Sequence, residues 1–257
     1  MKPRRNTTRA DAALIAAMVV PFVALGVQAF ANQWHGRTLI PQQVGLRGVR
    51  SVWTEPILAN AVTGSLVVAT VVAAIAVVLA WPAAKYLADS RPPAGWALLA
   101  APVLLPPLVL GDGLAPWLLE FGITGRPAVV IAHLPIAIAY AALALVPAFG
   151  PELDELDQSA AMLGANAAQR LIHIVIPAAR AHVILGFALG FTVSWSQYAT
   201  SLTVGGGTPM LPLVLVPYVR SDPQIAAALA IVFVTPPIVA LATASRIGGH
   251  RSCGSHA

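Results

Sequence analysis

Residues Glu55–Lys85 read EPILANAVTGSLVVATVVAAIAVVLAWPAAK, with no charged residue between the two ends. A helix needs roughly 20 consecutive apolar residues to cross the hydrocarbon core of a bilayer, and this stretch exceeds that length. Backbone groups in lipid must be satisfied within the spanning structure, so the segment is a helix and not a barrel strand of about 10 residues. This one stretch sets the class as an all-α membrane protein.

Five more charge-free windows surround it. They lie between Asp11 and Arg37, Arg91 and Asp112, Arg126 and Glu152, Arg180 and Arg220, and Asp222 and Arg246. Each is long enough for one span, which predicts six transmembrane helices. Composition agrees: the 257 residues are 58% hydrophobic and only 10% charged, with a mean hydropathy of +0.77, whereas a soluble domain carries roughly 25% charged residues. The length suits a single membrane domain over residues 1–257, with tails at 1–11 and 246–257. A single cysteine, Cys253, provides no disulfide framework.

Two windows call for breaks. Pro102, Pro106 and Pro107 in the third predict a bent or broken span. The fifth is too long for one helix, and the Gly205–Gly207 triplet predicts its end near Thr203. The apolar stretch Met210 to Val219 is too short to cross. Pro212 and Pro217 are expected to break it, leaving a segment that dips into the membrane or lies on its surface. Trp34, Trp53 and Trp117 are expected near the interface, where tryptophan anchors spans.

Six spans place both termini on one side. Lys2, Arg4, Arg5, Arg9, Lys85, Arg91, Arg170, Arg180, Arg246 and Arg251 share that side; Arg37, Arg47, Arg50, Arg126 and Arg220 fall on the other. Ten against five puts the termini, and the loop 151–177, in the cytoplasm. An alternative for the N-terminus is a cleaved signal ending at Ala29-Phe30-Ala31. Removing it leaves the other five spans oriented as before.

The spans carry no acidic residue, and ion-coupled carriers need such groups for proton or sodium relays. His133 in the fourth window reads as a hydrogen-bonded core residue, and His182 lies near the cytoplasmic interface. A phosphate-binding loop needs a glycine-rich turn ending in Lys and Ser or Thr. The only lysines, Lys2 and Lys85, sit in no such turn, so the chain is not itself an ATPase. No paired Cys/His metal ligands and no Ser-His-Asp constellation are visible. Asp112, between two glycines, reads as a solvated loop charge.

The loop 151–177 reads as helix, turn, helix. Pro151 suits a first helical position, and Glu152, Asp154 and Glu155 suit the positive end of a helix dipole. Leu153, Leu156, Ala160 and Leu163 recur at helical spacing as one apolar face. Gly164 can take a left-handed cap, Asn166 can cap the next helix, and Pro177 marks the start of the fifth span. By periodicity alone this is an amphipathic helix lying on its own protein.

The residue pattern is more specific. Gln158-Ser-Ala-Ala-Met-Leu-Gly164, followed by Ile174-Val-Ile-Pro177, resembles the EAA loop of ABC importer permeases: Glu-Ala-Ala, three residues, Gly, nine residues, then Ile-x-Leu-Pro. Gln158 stands in place of the family's Glu, and Ser159 in place of its first Ala. A salt bridge at position 158 becomes a plain hydrogen bond. The resemblance continues through Ala132–Tyr140, Phe191–Tyr198, the glycine triplet and Asp222–Leu229. It covers roughly Leu58 to Ala242 and is closest to the subgroup of polyamine, thiamine, ferric-iron and phosphonate importers.

The resemblance implies a coupling helix seated in a cleft of a separate nucleotide-binding ATPase, with docking assigned to Leu156, Asp157, Gln158, Ala160, Ala161, Gly164 and Ala165. ATP and Mg would be bound by that partner; no cofactor is expected in this chain. A second permease subunit (identical or sibling) and an extracytoplasmic substrate-binding protein complete the expected set, with lipid around it and no nucleic acid. In the fifth span, Ser194, Gln197, Tyr198 and Ser201 would share one helical face and are pathway-lining candidates. An ion-coupled carrier and a non-transporting scaffold are the competing classes; ATP dependence of uptake separates them.

Overall fold

The computed structural model describes residues 9–34, 38, 40–90 and 92–249. Lys2, Arg4, Arg5, Arg37, Arg91, Arg251 and Cys253 lie outside the described residues, as do most of both tails.

Helix α1 runs Arg9–Ala29 and is followed by a short antiparallel hairpin, β1 Ala31–Gln33 and β2 Gln43–Val44. The hairpin is a small departure from the all-α expectation. Helix α2, Arg47–Thr54, then leads into α3, Pro56–Ser90. At about 1.5 Å per residue, α3 is roughly 50 Å long and extends past the charge-free window through Lys85 and Asp89.

The third span is broken as the prolines require. Helix α4, Pro93–Leu104, and α5, Pro107–Glu120, meet at an angle of 93°. The pair continues well past the expected boundary at Asp112, which is a helical, exposed residue of α5 and not a loop charge. Among the described residues, five helices are long and apolar enough to cross a membrane, or six if the bent pair counts as one span.

Helix α6, Arg126–Leu145, ends in a single 3-10 turn, Val146–Ala148, before α7, Pro151–Met162. The short helix α8, Ala167–Arg170, passes through a π turn at Leu171–Val175 into α9, Ile176–Ser196. Pro177 stands in the first turn of α9, at the entry expected of it, although the helix before it is not interrupted. The helical path runs from Ala167 to Ser196, 30 residues. Pro177 removes the amide that the His173 carbonyl would use in an α-helix, and the wider π turn absorbs the mismatch.

Helix α9 stops at Ser196, short of the expected end near Thr203. Gln197 is extended (φ −72°, ψ 100°), and the chain resumes as α10, Ala199–Val204. Helix α11, Leu211–Ser221, is continuous where breaks were expected: Pro212 sits in its first turn, where no intrahelical donor is needed, and Pro217 is accommodated within it. Helix α12, Pro223–Gly249, closes the fold.

The core is the trio α3, α6 and α9, with α12 packed against α9 and α1 against α12. Alanine is its commonest buried residue: Ala69, Ala73, Ala76 and Ala80 of α3 and Ala132, Ala137, Ala141 and Ala142 of α6 are fully buried. In lipid there is little hydrophobic gain from joining two apolar helices, so close backbone approach and dispersion drive association, and small residues permit it. Leu14, Met18 and Phe22 of α1 and Leu98 and Leu104 of α4 are exposed, as lipid-facing surfaces require. Ala29 and Ala31 are fully buried.

Polar contacts hold the end of α3 remote from the Trp81–Phe149 ring contact. Arg47 of α2 donates to both carboxylate oxygens of Asp222, at 2.8 and 3.0 Å. Asp222 also caps α12 by accepting from the Ile225 amide. Tyr218 donates to Glu55 at 2.9 Å, and the Leu211 amide donates to the buried Ser65 hydroxyl at 2.8 Å. Gly48 is required here, because a Cβ at that position would stand 2.8 Å from the Gln224 carbonyl oxygen.

Burial alone would raise the Asp222 carboxyl, but the Arg47 guanidinium and the Ile225 and Gln224 amides outweigh it and hold the group below its ordinary range. A depressed carboxylate stabilises the fold fully above its unfolded value, near pH 4, and that contribution is lost as pH falls through the folded value. Asp222→Asn is therefore expected to melt below wild type at pH 7. The gap should close on acidification below about pH 4 in detergent melts.

Candidate functional site

Among the described residues, two further regions concentrate polar side chains. The first is the loop that begins with α7. Pro151 occupies its first turn and Glu152 and Asp154 its positive end. The helix ends in a Schellman turn: the Gly164 amide donates to the Ala161 carbonyl and the Ala165 amide to the Ala160 carbonyl, both at 3.0 Å. Gly164 takes φ +87°, and nothing lies within 4 Å of where its Cβ would be. Asn166 and Gln169 then form a reciprocal capping box, each side chain accepting from the other's amide at 2.9 Å.

The expected single apolar face of α7 is split. Leu153 and Ala160 are buried against the chain, whereas Leu156 and Leu163 are exposed, and Met162 beside them is 82% exposed. Leu153 and Leu156 face the same inner side only in part, because the helix sits over a cleft of about 400 Å³ lined by Pro147, Gly150, Leu153, Leu156 and His182. Asp157 pairs with Arg170 at 3.1 Å and ties α7 to α8.

Of the residues assigned to docking, Leu156, Gln158 and Gly164 are exposed, and Asp157, Ala161 and Ala165 are half-buried. Ala160 is buried and faces its own chain. Met162 and Leu163 are both exposed beside these residues; Leu163 was expected on the apolar face and Met162 was not singled out. The apolar pair stands directly before the glycine cap.

The second region is the break in the fifth span. His133 of α6 lies between two serines, with Nδ1 2.9 Å from the Ser194 hydroxyl and Nε2 3.1 Å from the Ser201 hydroxyl. Ser201 donates to the Gln197 carbonyl at 2.7 Å. Gln197 also accepts from the Thr200 hydroxyl, and Thr203 donates to the Thr200 carbonyl. The Ser201 hydroxyl on the Gln197 carbonyl and the Ser196 hydroxyl on the Val193 carbonyl thus stand in for amides lost at the interruption, as a break inside a bilayer requires.

Ser194, Gln197, Tyr198 and Ser201 do not share one helical face, because the helix is interrupted between them. Ser194 and Ser201 converge on His133 and are buried; Gln197 is half-buried and Tyr198 is exposed. His133 has the hydrogen-bonded core environment expected of it. Trp195 stacks between Phe191 and Phe233 and donates to the Phe233 carbonyl at 2.7 Å. That carbonyl has lost its helical donor because Pro237 stands four residues on.

Comparison with known proteins follows the same outline. Residues 93–246, more than half the chain, match the family described as "Binding-protein-dependent transport system inner membrane component". The chain belongs to that family, as an ABC transporter permease that crosses the membrane several times. A putative ABC transporter permease protein from Streptomyces antibioticus is 29% identical over 195 residues, 71% of this chain and 82% of that protein. The fold resembles a crystal structure of a bacterial ABC transporter involved in import of the acidic polysaccharide alginate, with a TM-score of 0.52 and 14% identity, covering 91% of this chain and 96% of that one.

Proposed function

We propose that this chain forms half of the translocation pathway of an ATP-binding-cassette importer for a small solute, driven by a separate ATPase through residues 151–177. The observation that carries this reading is α7 itself. It is anchored by Leu153, Ala160 and the Asp157–Arg170 pair, yet it exposes Leu156, Met162 and Leu163 beside a glycine cap. An amphipathic helix that merely covered its own protein would bury those three.

The proposed arrangement has both termini and the loop in the cytoplasm, in the inner membrane. Two nucleotide-binding subunits supply ATP and Mg chemistry, and a second permease, identical or sibling, completes the pathway. An extracytoplasmic binding protein delivers substrate. The loop motif and the stretches 132–140 and 191–198 favour the polyamine, thiamine, ferric-iron and phosphonate subgroup. Ser194, Gln197, Tyr198 and Ser201 remain the pathway candidates, with Gln197 and Tyr198 the more accessible pair. No acidic side chain is buried among the described residues, which favours an external energy source over ion coupling.

The test is crosslinking in intact membranes. Cysteine at Met162 or Leu163, in a Cys253→Ser background, is expected to crosslink to an ATPase subunit identifiable by mass spectrometry. A folded protein that yields no ATPase adduct from either position would overturn the reading.

A further inference from the structure

The break in the fifth span is bridged by a side chain from another helix. Ser194 lies in the last turn of α9 and Ser201 in α10, so one imidazole contacts the chain on both sides of the interruption. Residues seven apart are spaced by about 10 Å along a straight helix. An imidazole with two hydrogen bonds of ordinary length holds the two hydroxyls within roughly 8 Å of each other. Straightening the span would therefore part at least one contact.

The Ser201 hydroxyl also stands 2.7 Å from the Gln197 carbonyl and is placed to donate to it. With that donation made, the tautomer that fits carries the proton on His133 Nε2, and Nδ1 accepts from Ser194. The contacts then run in series from Ser194 through His133 and Ser201 to the backbone at the break.

Helix α10 is also gripped from its other side. A Cβ on Gly111 of α5 would stand 2.0 Å from the Thr203 hydroxyl and 3.2 Å from the Thr200 Cα. The short helix is thus held between the rigid core, through His133, and the bent pair α4–α5, through Gly111. Between these two grips the exposed Tyr198 and the half-buried Gln197 are presented.

We propose that His133 is a positioning residue for transport: it clamps the two halves of the broken fifth span, and loss of its Ser201 contact releases α10, with Gln197 and Tyr198, to move together with α5. The transport role rests on the importer reading above; the clamp itself does not.

The test is a distance measurement across the break. Nitroxide labels are placed at Leu185→Cys and Leu202→Cys, both exposed positions, in a Cys253→Ser background. The protein is studied with its co-purifying partners in liposomes by pulsed dipolar spectroscopy. Wild type is expected to give a single narrow distance. His133→Ala and Ser201→Ala should each add a second population, and the double variant should add nothing more. His133→Gln, whose amide offers one donor and one acceptor, should restore the single distance. Leu145→Ala, a fully buried position away from the clamp, should lower the melting temperature without changing the distance.

An unchanged distribution in His133→Ala would overturn the clamp, as would equal broadening in Leu145→Ala. Failure of the wild type to crosslink to an ATPase would instead overturn the importer reading and leave the distance result standing.

Discussion

Gly164→Trp is expected to abolish association with the ATPase while leaving the membrane bundle folded. Gly164 adopts φ +87° and its Cβ direction is empty, so a side chain meets no atom of its own chain. The intramolecular cost is confined to the left-handed backbone, about 1–2 kcal/mol for a residue other than glycine. Gly164→Ala carries that same backbone cost with almost no added bulk. The two variants should therefore melt close together, both slightly below wild type. They should separate in pull-down: alanine retains most of the partner, whereas tryptophan, projecting from the turn beside Met162 and Leu163, blocks the docking surface. Equal loss in both variants would assign the defect to the turn conformation. Full retention by the tryptophan variant would remove α7 from the interface.

Trp195→Ala is expected to be the most destabilising single substitution in the fifth span. The indole is 2% exposed, stacks on two phenylalanines and supplies the donor that α12 loses at Pro237. Truncating a large buried aromatic costs about 3–5 kcal/mol. Trp195→Phe separates the two contributions. It keeps ring stacking and loses the hydrogen bond, and such bonds between membrane helices are worth about 0.6–2 kcal/mol. Detergent melts should rank wild type above phenylalanine and phenylalanine well above alanine. Near-equal melting of phenylalanine and alanine would show that the Phe233 carbonyl, and not the aromatic stack, dominates.

The spans were legible because lipid imposes a length and a charge rule that composition cannot disguise. The bend between α4 and α5 was legible in Pro106 and Pro107, and the Asn166 cap and Gly164 turn were legible in residue type. The break at Gln197 was not. Ser194, Gln197, Tyr198 and Ser201 were read on an uninterrupted helix, where 3.6-residue spacing aligns them. The Ser201 hydroxyl instead satisfies the Gln197 carbonyl at the break, Ser194 and Ser201 both meet His133, and that decisive partner is 61 residues from Ser194 in sequence. The split of α7 was hidden for a related reason. Leu153 and Leu156 are equivalent in periodicity, and only the segments packed against α7 (α8 and the π turn among them) decide which one is covered. Helix α2 was missed although Val49 and Val52 alternate there with Arg47 and Arg50. Its eight residues fall below the length at which a span rule has anything to say.

The alanine trio also has a consequence for how this sequence can drift. Alanine has no rotamers, so where Ala73, Ala137 and Ala141 meet Gly186 and Gly190 of α9 no side chain can swing aside to admit a larger neighbour. A single extra methyl group at Ala73, Ala137 or Ala141 must push whole backbones apart, and a second change elsewhere cannot readily make room for it. The exposed leucines and valines of α1 and α4 face only a demand for greasiness. Mutational scanning should find the smallest side chains in the molecule to be its least replaceable, and many of its largest to be interchangeable.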